Sequence, residues 1–173
     1  MSPARPEHCS AHRRVYNGCM IKNRPPRLEQ IFQAYAPPLY FVTICTIHRR
    51  KIDRLVIAHE AFRKYALRAM EEFNVAVGRY VVMPDHIHLF VRGNEEFDLG
   101  KWINGLKRAI SVALGATNKW PLWQPGFFDH VLRNSESYGK KWAYVQENPV
   151  RAGLVPCSDE WRYQGEIVII GRA

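Results

Sequence analysis

The chain has 173 residues, 47% of them hydrophobic by type, and 25 Lys and Arg against 16 Asp and Glu leave a formal net charge of +9. That length suits one domain with a single core, and no run approaches the roughly 18 consecutive apolar residues that a membrane span needs. The excess positive charge favours polyanionic partners, nucleic acid before an anionic membrane. Cys9, Cys19, Cys45 and Cys157 form no C-x-x-C pair and the N-terminus lacks an apolar core, so the expected setting is a reducing cytoplasm, in association with the nucleoid.

Residues 1–38 carry Pro3, Pro6, Pro25, Pro26, Pro37 and Pro38 among many arginines, which predicts a basic, largely irregular N-terminal arm. After that breaker, LYFVTICTI (39–47) is rich in β-branched and aromatic residues and predicts a strand. Phe62, Tyr65, Ala66, Ala69, Met70 and Phe73 then recur at helical spacing, with charged residues filling the other side. VAVGRYVVM (75–83) and HIHLFVR (86–92), joined by Pro84-Asp85, predict an antiparallel hairpin. Asp98 is placed to cap a second helix whose stripe is Leu99, Trp102, Ile103, Leu106, Ile110, Ala113 and Leu114, leaving Lys101, Lys107 and Arg108 outside. LWQPGFFDHVLR (122–133) predicts a fourth strand, and Ser135 an N-cap for a third helix through SYGKKWAYVQEN (137–148), stopped by Pro149. The order β-α-β-β-α-β-α predicts an α+β, ferredoxin-like antiparallel sheet with helices on one face and an additional C-terminal helix. The expected division is the arm at 1–38, a catalytic domain at 39–155 and a C-terminal tail at 156–173.

Strand periodicity puts His86 and His88 on one face, with Ile87, Leu89 and Val91 on the other. Converging imidazoles are natural ligands for a divalent metal, Mg2+ or Mn2+, completed by further oxygen or nitrogen donors; H-x-H alone equally fits two incidental histidines at a strand edge. On the third helix, about 100° per residue sets Tyr144 and Asn148 on one side with Lys140 and Lys141 flanking, opposite Tyr138, Trp142 and Val145. Lysines beside a tyrosine attract a phosphate, and an amide one turn later is within reach of a metal. A phenol with its ordinary pKa near 10 needs help to attack at neutral pH, which a Lewis acid on the phosphate supplies. Two other readings share these features: a non-catalytic hairpin-binding module for single-stranded DNA or RNA, and a hydrolase whose histidine-bound metal activates water.

YFVTICT (40–46), VVMPDHIHLF (81–90), LWQPGFFDHVLR (122–133) and YVQENPVRAGLV (144–155) resemble the single-tyrosine HUH transposases, and most closely the REP-associated tyrosine transposases, over about Pro26 to Val155. The resemblance implies a ferredoxin-like fold and strand-specific cleavage and rejoining of hairpin-bearing single-stranded DNA through a 5′-phosphotyrosine, by a monomer or homodimer. It places the family's metal histidines on His86 and His88, its nucleophile on Tyr144 and its helix-borne third ligand on Asn148. Asp129 and His130 match a recurrent pair of the family, with pinning of the strand end as their expected part. Lys101, Lys107, Arg108, Arg133, Lys140 and Lys141 are the residues expected on DNA. The ending WRYQGEIVII (161–170) and the N-terminal arm depart from the family pattern, which bears on DNA-sequence specificity.

Overall fold

The computed structural model describes residues 38–116, 121–132 and 135–170; the N-terminal arm and Arg133 lie outside the described residues. Five strands, β1 (Leu39–Cys45), β2 (Ala76–Val82), β3 (His86–Arg92), β4 (Phe128–Leu132) and β5 (Gln164–Glu166), form one sheet in the order β4-β1-β3-β2-β5. Every neighbouring pair is antiparallel. Tight connection through Pro84-Asp85 makes β2 and β3 a hairpin, and β1 enters beside β3 so that Val42 lies opposite Leu89 and Ile44 opposite Ile87. These four side chains are fully buried, as expected of central strands covered on both faces.

Helices α1 (Leu55–Phe73) and α2 (Leu99–Leu114) cover the face that bears Tyr40, Ile87 and Leu89. Phe62 of α1 meets Tyr80 at 4.5 Å between ring centroids, Trp102 of α2 meets Tyr65 at 5.5 Å, and Phe97, just before α2, meets Tyr40 at 6.5 Å. The Asp98 carboxylate caps α2 by accepting from the Lys101 amide at 2.9 Å, and Gly115 ends it at φ 70, a backbone conformation that glycine adopts without a Cβ penalty. The buried stripe is the expected one in its centre, but Ala113 and Phe73 stay exposed, and α1 starts earlier than its periodic run, burying Leu55 and Ala58.

A third helix, α3 (Ser135–Gln146), lies on the opposite face of the sheet. Its Tyr138 and Trp142 rings meet Phe90 edge-on at 4.6 and 6.4 Å, and the Arg79 guanidinium lies beneath both. Gly78 on the same sheet makes room for Ile170: a Cβ there would fall 2.5 Å from Ile170 Cδ1, while the Tyr138 hydroxyl, at 3.4 Å, would be in ordinary contact. The chain therefore sandwiches its sheet, with two helices on one side and the additional helix on the other.

Pro149 is not what stops α3, which already ends at Gln146, two residues before the expected Asn148. It occupies the first turn of a short helix, α4 (Asn148–Arg151), where its missing N–H is harmless and its fixed φ favourable. The segment after Val155 joins the sheet as β5, and Trp161, Ile167, Val168 and Ile170 sit in the core. Nothing in WRYQGEIVII alternates cleanly enough to announce a strand, because its pairing partner, β2, decides it.

Candidate active site

On β3 the two histidines point to the α3 side while Ile87, Leu89 and Val91 are buried on the other. The rings stand 4.7 Å apart, nearly perpendicular. Each spends its Nδ1 on a neighbour: His86 on the Asp85 carboxylate at 2.7 Å, and His88 on the Thr43 hydroxyl at 2.8 Å across the β1–β3 pairing. Nε2 is thereby left as the coordinating nitrogen of both rings, the arrangement in which an outer hydrogen bond fixes tautomer and orientation. Burial holds both imidazoles neutral: His88 is pushed down to about 3, chiefly by desolvation and then by the charges of His86, Arg49, Lys141 and Arg151, and His86 is lowered by desolvation against the opposing pull of Asp85. Neutral imidazole is the form that binds a metal.

Phe41 stacks on His88 at 5.4 Å and 20°, and the Lys141 ammonium of α3 rests 5.0 Å above the Phe41 ring. Helix α3 is thus brought to the histidines through Lys141. One turn further, Tyr144 is 62% exposed while Val145 beside it is fully buried, so the polar and core stripes separate as expected. The Arg151 guanidinium lies 4.2 Å from the centre of the Tyr144 ring, donates to the Tyr144 carbonyl at 2.8 Å and also donates to Asn148 Oδ1. Asn148 Nδ2 is buried without a partner. Oδ1, the atom able to ligate a metal, thus already accepts one hydrogen bond and keeps a second lone pair, whereas Nδ2 can only donate.

Among the described residues no three His, Cys, Asp and Glu side chains cluster as a metal site. Two imidazoles with free Nε2 atoms nonetheless suit a divalent ion, which takes nitrogen and oxygen donors together with water, and the remaining lone pair of Asn148 Oδ1 is chemically suited to join them. Thr43, Asp85 and Arg151 were not singled out from the sequence. Asp85 adjoins His86 and was visible as a neighbour. Thr43 required the strand register, and Arg151 required the turn through Pro149.

The structure does not gather every residue expected on DNA. Lys140 and Lys141 are on α3, but Lys101 and Arg108 are exposed on α2, across the sheet from the histidines. Lys107 corrects the expectation outright. It is 7% exposed, and its ammonium donates to the Gln124 carbonyl at 2.9 Å and to that of Gly126, while its own carbonyl accepts from the Trp123 indole. The helical period placed it beside Arg108, but the loop leading into β4 closes over it and converts a solvated cation into a clamp. Lys107→Ala is expected to cost about 1 kcal/mol in chemical denaturation, because two partly buried carbonyls lose a charged donor, while leaving the salt dependence of DNA binding unchanged.

Asp129 and His130 are exposed on β4, opposite Val42 and Phe41 respectively, on the two sides of an edge strand. A family model described as transposase IS200 like matches residues 38–148. The chain is similar to the REP-associated tyrosine transposase of Escherichia coli (strain K12), 25% identical over 127 residues that cover 72% of this chain and 73% of that relative. A solved structure of a REP-associated tyrosine transposase bound to a REP hairpin superposes with a TM-score of 0.64 at 24% identity, over 75% of this chain and 78% of that one.

Proposed function

The chain belongs to the IS200-like transposase family, and from that premise we propose that it cleaves and rejoins single-stranded DNA at hairpins of palindromic repeats, with Tyr144 as nucleophile. The observation that carries this reading is that Lys141 reaches the histidines through Phe41, and that Arg151, whose charge is felt at His88, holds both Tyr144 and Asn148. His86 Nε2, His88 Nε2 and the Asn148 amide would hold Mg2+ or Mn2+, which supplies Lewis-acid polarisation of the scissile phosphate.

The chain's own groups do the remainder. Arg151, over the Tyr144 ring, and Lys141, over Phe41 beside His88, would offer positive charge to the phosphate. The phenolic oxygen attacks phosphorus in line; as the Oη–P bond forms the phenol loses its proton, the P–O3′ bond breaks, and the 3′ oxygen departs to become a hydroxyl. The 5′-phosphotyrosine retains the bond energy, so attack by a 3′-hydroxyl reverses the step and rejoins the strand. Thr43 and Asp85 keep the imidazoles oriented throughout. The likeness to a relative solved with a REP hairpin supports a hairpin as the partner.

The test is direct. Labelled single-stranded oligonucleotides from the palindromes flanking its own gene, incubated with the protein and magnesium or manganese, should give a denaturation-resistant adduct that maps to Tyr144. Hydrolysis without an adduct, or binding without cleavage, would overturn the assignment. Affinity should also fall steeply with salt through Lys140, Lys141 and Arg151, each phosphate contact contributing roughly 0.7 to the log–log slope on a single strand. Arg151→Ala is expected to slow adduct formation about tenfold, with part of the rate regained in Arg151→Lys.

A further inference from the structure

The α3-side face of the sheet carries three phenylalanines among the described residues, and two of them are covered by neighbouring side chains. Phe90 lies under Tyr138 and Trp142, and Phe41 is held between His88 and the Lys141 ammonium. Phe128 is 69% exposed. It sits directly opposite Thr43, which is itself opposite His88 and bonded to it, so His88, Thr43 and Phe128 form one line across three strands on one face. Two strand spacings separate the ends of that line, about 10 Å, a reach that a phosphate and its attached base span. His130, two residues along β4, shares that face and is also exposed.

An exposed phenylalanine on an edge strand is a liability, because unpaired backbone and apolar surface together invite aggregation. Here it shares the sheet face on which the Lys141 ammonium rests over Phe41, and the chain as a whole carries +9. Positive charge along a backbone path with an aromatic platform beside it is the combination by which proteins hold single-stranded nucleic acid. We propose that Phe128, flanked by His130, is a nucleobase-stacking subsite that seats one unpaired base next to the scissile phosphate. The inference rests on the reading of His86, His88 and Tyr144 as the cleavage centre and adds to it the contact that sets where along the strand the phosphate comes to lie. Because stacking tolerates every base, the subsite fixes position and unpairedness and leaves base identity to other contacts.

The test uses the full chain and a hairpin oligonucleotide from its flanking palindromes, with 2-aminopurine placed in turn at each unpaired position and EDTA present so that no cleavage is required. One position beside the scissile phosphate should show a fluorescence change on binding that disappears in Phe128→Ala and returns in Phe128→Trp. An abasic nucleotide at that position should weaken binding to the native protein about tenfold, yet cost Phe128→Ala little further, since the two changes remove the same contact. If Phe128→Ala keeps the fluorescence change, or distinguishes the abasic strand as the native protein does, the subsite is refuted. A fall in melting temperature with unaltered base discrimination would also refute it, by showing that Phe128 packs against other parts of the chain. Failure of the cleavage reading would show separately, as the absence of an adduct on Tyr144 when metal is supplied.

Discussion

Tyr144→Phe is expected to abolish the covalent protein–DNA adduct while leaving the fold and hairpin binding in place. The substitution removes one phenolic oxygen from a side chain that is mostly exposed, so little packing is lost. The ring remains for the Arg151 guanidinium to cover, and the carbonyl that Arg151 also holds is untouched. Loss of a nucleophile with no substitute costs on the order of 10⁴-fold or more in rate. Tyr138 is the control. Its ring stands edge-on to Phe90 on the core side of α3, and burial pushes its phenol up to about 12, which makes it a poor source of phenolate. Tyr138→Phe should therefore cut and rejoin at close to the native rate. Asn148→Ala should fall between the two, since water replaces an amide on a hard metal more readily than anything replaces the attacking oxygen. Single-turnover adduct formation, followed by peptide mapping, reads all three; an active Tyr144→Phe protein, or DNA attached to Tyr138, would sink the assignment.

The second large effect is expected at the histidines. His88→Ala or His86→Ala should lower cleavage about 10³-fold, the scale of several kcal/mol of Lewis-acid stabilisation, while hairpin affinity measured in EDTA changes little, because phosphate and shape contacts supply it separately. Full cleavage by either variant would refute the metal assignment. The outer hydrogen bonds give a subtler readout. Thr43→Val keeps the size of the side chain but removes the oxygen bonded to His88 Nδ1, so Mn2+ affinity, followed by electron paramagnetic resonance, should weaken about tenfold with the strand pairing intact. An unchanged Mn2+ affinity would mean that the imidazole is oriented by its stacking on Phe41 instead.

What the sequence determined by itself is what short-range periodicity encodes. A period of two forces His86 and His88 to one side of β3 and Ile87 and Leu89 to the other, whatever the strand pairs with. A helical period separates Tyr144 from Val145 in the same way, and the Asp98 cap and the Pro84-Asp85 turn act over a few residues. From these, four of the five strands, three of the helices and the exposed side of the helix on which Tyr144 sits were legible. Only the tertiary structure decided which residues meet across long separations. Thr43 supports His88 because β1 and β3 pair in one register, and a slip of one residue would have turned it to the other face. Lys107 is solvated by helical period and buried in fact, because the loop before β4 brings its carbonyls to the ammonium. Residues 164–166 become a strand only because the edge of β2 is there to pair with. Arg151 reaches Tyr144 because Pro149 starts a new turn where local reasoning ended one. In each case the deciding free energy is a contact between segments distant in sequence, whose closure no local pattern records.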